Sequence, residues 1–82
     1  MNWLVDPPSL GAEVQVQVRH HAHPARATLV RLDGDEVELA LDEPVSAIAP
    51  GQSLVMYDGE RVLGGGIIER ASGAGRALKI VA

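Results

Sequence analysis

The 82-residue chain contains no cysteine and no phenylalanine, and Trp3 and Tyr57 are its only aromatic residues. Without cysteine it has no disulfide, no thiolate metal site and no means of passing sulfur through a thiol of its own. Long apolar runs are also absent. The longest are a few residues, against the roughly 20 that a membrane-spanning helix needs, and no basic stretch followed by an apolar one opens the chain. The expectation is a soluble protein of the cytoplasm. Basic residues are scarce: seven Lys and Arg stand against eleven Asp and Glu, a formal net charge of -4. That balance excludes gripping nucleic acid by bulk electrostatics, because phosphate neutralisation requires clustered cations. Any RNA contact must be local.

Apolar residues make up 46% of the chain, mostly Val, Leu, Ile and Ala. A chain this short buries only about 60% of the surface it exposes when unfolded, so it builds one core. From Glu13 to His20 apolar and polar residues alternate, with Val14, Val16 and Val18 on one face and Gln15, Gln17 and Arg19 on the other, the period of a half-buried strand. Ala25 to Leu32 forms a second run. Asp33-Gly34-Asp35 turns it into a third, which places Val37, Leu39 and Leu41 opposite Glu36, Glu38 and Asp42. After Pro50-Gly51, Ser53 to Tyr57 and Arg61 to Leu63 flank Asp58-Gly59 as a second hairpin. Gly64 to Gly66 separate that hairpin from Ile67 to Arg70, and Arg76 to Val81 closes the series.

No segment has a helical pattern, so the chain reads as all-β. Six or seven short strands punctuated by turns predict a small barrel or sandwich, and a closed barrel is favoured because it leaves no unpaired edges. Residues 1–12, with Pro7, Pro8 and Gly11, read as an extended lead-in, and residues 13–82 as a single barrel domain. The glycine triplet suits close backbone approach, bulges or positive φ. It is not a phosphate loop, which would end in Gly-Lys-Ser/Thr at the start of a helix.

His20-His21-Ala22-His23 is the most suggestive cluster for chemistry. Strand alternation sets His21 beside His23, but zinc ordinarily takes three or more protein ligands and no further residue nearby has ligand spacing. A solvated strand end leading into Pro24 is the plainer reading. The functional candidate is a polar patch formed with Arg19 for phosphate or base edges. The acidic pairs Asp33/Asp35, Asp42/Glu43 and Asp58/Glu60 fall in or beside turns and read as solvated residues rather than acid-base partners. Ser9, Ser46, Ser53 and Ser72 lie in no nucleophile motif. Trp3 and Tyr57 could stack on RNA bases, but packing in a core or lid is the favoured role. The chain therefore reads as non-catalytic, with no metal site.

The second half spells out Asp42-Glu43-Pro44, then Pro50-Gly51-Gln52, a strand ending in Tyr57-Asp58-Gly59, and Leu63-Gly64-Gly65-Gly66-Ile67-Ile68. In order and spacing this resembles the C-terminal end of tRNA-specific 2-thiouridylases, and Asn2-Trp3-Leu4 is similar to the start of that domain, so the likeness spans nearly the whole chain. The resemblance implies a β-barrel similar to the second domain of translation elongation factor Tu, joined to a catalytic domain and a central tRNA-binding domain. It implies a parent enzyme that uses ATP and persulfide sulfur to thiolate the wobble uridine of tRNA. This chain has neither the cysteines nor the Ser-Gly-Gly-x-Asp-Ser loop for that chemistry, so the expected role is an accessory, tRNA-contacting one. The alternative is a structural or protein-interaction barrel. Where the family has an Arg-Tyr-Arg segment expected to meet tRNA, this sequence has Arg19-His20-His21. Those three residues are the RNA-binding candidates.

Overall fold

Alternation of valine with glutamine in residues 13–18 gives each side chain one face of a strand, and the valines turn inward. In the computed structural model, which describes residues 1–18, 24–44, 48–73 and 76–81, Val14, Val16 and Val18 are buried and Gln15 and Gln17 are half-buried on the outside. The described residues form seven strands, most of them with this two-residue period: β1 (Asn2–Trp3), β2 (Glu13–Val18), β3 (Ala25–Asp33), β4 (Glu36–Leu41), β5 (Ser53–Asp58), β6 (Arg61–Ser72) and β7 (Ala77–Val81). Every pairing is antiparallel. Around the barrel the order is β6, β5, β2, β3, β4, β7 and back to β6, with β1 added on β6. The expected all-β barrel is what forms, closed by six strands and carrying a seventh.

The core is made of the inward side chains of these strands, among them Leu29, Leu39, Leu54, Met56, Ile68 and Ile80, each no more than 1% exposed. Met1 is buried with them. Its amino group donates to the Asp35 carbonyl, and burial holds that group below its ordinary pKa while the Asp35 charge pulls the other way. No polar or charged residue is buried among the described residues. Among the described residues the core is thus held mainly by apolar packing and the backbone ladder.

Two expectations are corrected by the sheet. Gly64 to Gly66 do not separate two strands, because β6 runs unbroken through them for 12 residues. The glycines serve close approach and not positive φ: a Cβ on Gly64 would lie 2.5 Å from the Asn2 carbonyl oxygen, and one on Gly66 would lie 2.5 Å from that of Val81. Both distances are shorter than a carbon and an oxygen tolerate, so β1 and β7 reach β6 only because these side chains are missing. The second correction concerns the first residues. Asn2 and Trp3 pair with Gly65 and Gly64, so part of the stretch that read as a lead-in is a strand partner.

Three register shifts bend the strands into closure, between Leu29 and Arg31 of β3, between Met56 and Tyr57 where β5 meets β6, and between Ile68 and Arg70 of β6. The Pro50-Gly51 turn adds a lock. Gly51 has φ +92°, Gln52 N–H donates to the Ala49 carbonyl at 3.3 Å, and the Gln52 side-chain oxygen accepts from Ala49 N–H at 2.7 Å. Gly51 N–H then reaches the Ile68 carbonyl at 2.8 Å, and Ile68 N–H reaches the Gln52 carbonyl at 2.9 Å, tying the turn to β6.

Candidate nucleic-acid interface

The sequence-predicted residues Arg19, His20 and His21 lie outside the described residues, as do Ala22 and His23. The chain on either side of them is fixed. Val18, the last residue of β2, stands opposite Leu54, and Ala25, the first of β3, stands opposite Val16. The candidate segment therefore connects two neighbouring strands at one end of the barrel.

Beside that connection an open groove of about 420 Å³ runs along the outer surface of β2 and β5. Pro24, the residue after His23, lines one end; the Gly59-Glu60 turn lines the other; Gln15, Gln17 and Tyr57 form the floor. Register explains the grouping, since Gln15 is directly opposite Tyr57 and Gln17 opposite Val55. Gly59 N–H donates to the Gln15 side-chain oxygen at 3.0 Å. Because the oxygen is the acceptor, the amide orientation of Gln15 is set, and its NH₂ group remains a donor.

Trp3 and Tyr57 part company. Trp3 packs against the core, as favoured from the sequence, with its indole nitrogen buried and without a hydrogen-bond partner among the described residues. Tyr57 does not join the core; it is half-buried on the outer surface and walls the groove. Sequence reasoning did not single out Gln15 and Gln17, and it placed Tyr57 in packing. The signal was available, because the buried positions Leu54 and Met56 alternate with Val55 and Tyr57.

The opposite side of the barrel is built differently. There Glu38 of β4 lies 3.6 Å from Arg31 and 3.7 Å from Arg70, while Lys79 of β7 lies 3.0 Å from Glu69 and 3.6 Å from Glu36. Arg31 also meets Asp33 at 3.5 Å. The hydrogen bond to Glu69, with the nearby Glu36 carboxylate, raises the Lys79 ammonium pKa above its ordinary value against a smaller effect of desolvation. Away from this network, Arg26 pairs loosely with Glu13 at 3.9 Å. Asp33, Asp35, Asp42, Glu43, Asp58 and Glu60 are all exposed, as turn residues should be. Among the described residues no group of three or more His, Asp or Glu is placed to hold a metal ion.

The model of the aminomethyltransferase beta-barrel domain family matches residues 1–68. The chain belongs to that family. Among proteins with this domain it is similar to the tRNA-specific 2-thiouridylase MnmA of Nostoc punctiforme, with 45% identity over 73 residues, which are 88% of this chain and 21% of the relative. The same enzyme of Picosynechococcus is 49% identical over 77 residues, covering 90% of this chain and 21% of the relative, and that of Deinococcus radiodurans is 46% identical over 67 residues, covering 82% and 18%. The matched stretch is the C-terminal region of these proteins, so the resemblance carried by the Pro-Gly-Gln turn and the glycine triplet is borne out. The chain spans about a fifth of the length of the curated relatives it matches. No solved structure matches it.

Proposed function

We propose that this barrel is a tRNA-contacting accessory domain of an enzyme that 2-thiolates the wobble uridine, and that it is not catalytic by itself. The observation that carries the reading is the match of most of the chain to the C-terminal region of proteins named tRNA-specific 2-thiouridylase. The residues support it. A chain without cysteine and without an ATP loop leaves adenylation by ATP and transfer of persulfide sulfur to the catalytic and central domains of the parent, which are its partners along with tRNA. Arg19 supplies a cation, and His20 and His21 supply rings and hydrogen-bonding nitrogens, for phosphate or base edges. The setting of this chemistry is the cytoplasm.

A structural or protein-docking barrel is the second reading. The net charge of -4 and the ion pairing of Arg31, Arg70 and Lys79 favour it, because cations held by carboxylates attract phosphate weakly. A salt titration of binding to unmodified substrate tRNA separates the two. The accessory-contact reading expects binding that falls with salt and is lost in Arg19→Ala while the barrel stays folded. Binding that is absent at low salt, or equal in the variant, favours the docking barrel.

A further inference from the structure

The groove along β2 and β5 has features that a phosphate-binding surface would not need. Its floor is an aromatic ring flanked by two amides, and the one charge in its described lining is Glu60, an anion that repels phosphate. We infer that it receives a single unpaired nucleobase, stacked on Tyr57 and held at an acceptor edge by the Gln15 amide. The inference rests on the proposed contact with tRNA and names the part of the RNA that this contact would take.

Three observations converge on a base. The groove, at about 420 Å³, lies in the range of small-ligand sites and has room for one nucleoside. Tyr57 stands on the outer surface although the chain has only one other aromatic with which to fill its core, so its ring is presented to an incoming flat group. Gln15 is oriented before any ligand arrives, because Gly59 N–H engages its carbonyl oxygen, and its NH₂ group stands as a donor for a ligand. A base carbonyl or ring nitrogen answers that donor; a phosphodiester would answer it too but would meet Glu60.

The test is titration of the 82-residue chain, followed by NMR, with a single-stranded heptauridylate, an abasic strand of equal length, and uridine monophosphate. Heptauridylate should shift the Tyr57 ring protons and the Gln15 side-chain NH₂ signals, and the abasic strand should bind about tenfold more weakly. Tyr57→Ala should lose a similar factor with the salt dependence intact, while Tyr57→Phe should stay within about twofold, which separates ring stacking from loss of fold. Binding of uridine monophosphate as tight as that of heptauridylate would assign the groove to a free nucleotide and overturn the RNA assignment. Equal binding of the abasic strand, or unmoved Tyr57 and Gln15 signals in a tRNA complex, overturns the inference and leaves the Arg19 contact standing. Failure of every strand and of tRNA to bind overturns both.

Discussion

Two outer faces of one barrel use polar residues in opposite ways. Across β3, β4, β7 and β6, arginine and lysine meet carboxylates on adjacent strands, and Glu38 and Lys79 are each shared by two partners. Across β2 and β5 the outward residues are Glu13, Gln15, Gln17, Ser53, Val55 and Tyr57, and Gln15, Gln17 and Tyr57 leave a groove. A face whose charges neutralise each other is a poor receptor for a polyanion, since releasing its cations would strand the carboxylates. A groove with an aromatic and two amides in its lining and one anion, Glu60, is suited to the proposed base rather than to a phosphate. The proposed contact would let an acidic domain touch RNA without a basic surface.

Destroying the barrel abolishes the distinction between faces, and this has the largest expected effect. Gly66→Val should prevent cooperative folding, because its Cβ alone would meet the Val81 carbonyl at 2.5 Å and the Ile80 side chain at 2.6 Å. Gly64→Ala should fold at a cost of about 1–3 kcal/mol, typical of overpacking. Thermal unfolding followed by circular dichroism checks both, and a wild-type transition in Gly66→Val would show that β6 and β7 have room to part.

The comparison sharpens with arginines from the two faces. Arg19→Ala should lower tRNA affinity and reduce the salt slope by about one, whereas Arg70→Ala, which removes a cation already paired with Glu38, should change neither. Fluorescence anisotropy over a salt series reads both variants. Equal losses would mean that the charged face takes part.

A smaller effect is expected at the turn that anchors β5. Gln52→Ala removes the acceptor for Ala49 N–H, and since Ala49 is exposed and water can replace the bond, urea denaturation should report a loss of about 0.5–1.5 kcal/mol. The smallest effect belongs to the charged face. Glu69 and Glu36 raise the Lys79 pKa in the folded protein, so their stabilisation is complete below the ordinary lysine range and disappears as pH rises through the raised value. The difference in urea midpoint between wild type and Lys79→Met should hold constant from neutrality to about pH 10 and narrow above it.

Much of the fold was legible because alternation is a local signal. Val14, Val16 and Val18 declared their inward face, and Asp33-Gly34 and Asp58-Gly59 declared their turns. What escaped depended on distant strands. Two residues, Asn2 and Trp3, carry no period from which a strand could be read, and they form one only because Gly64 and Gly65 allow them against β6. The glycine triplet looked like an interruption because its purpose lies in β1 and β7. Gln52 marked the family, but its use as a side-chain lock on a turn shows only in three dimensions. The motifs that identify the family therefore close the barrel, and one of them, Tyr57-Asp58-Gly59, also supplies two residues of the groove, whereas Gln15 and Gln17 were marked by no motif. Arg19, His20 and His21 were legible first as a polar patch at a strand end and then through the family's pattern, and they lie outside the described residues.

Amide hydrogen exchange of the 82-residue chain with and without unmodified substrate tRNA tests most directly which face meets RNA. Protection confined to β2, β5 and the connection that follows Val18, with β4 and β7 unchanged, is the predicted result. Protection centred on β4 and β7, with the β2–β5 groove exchanging as in the free protein, would contradict the account.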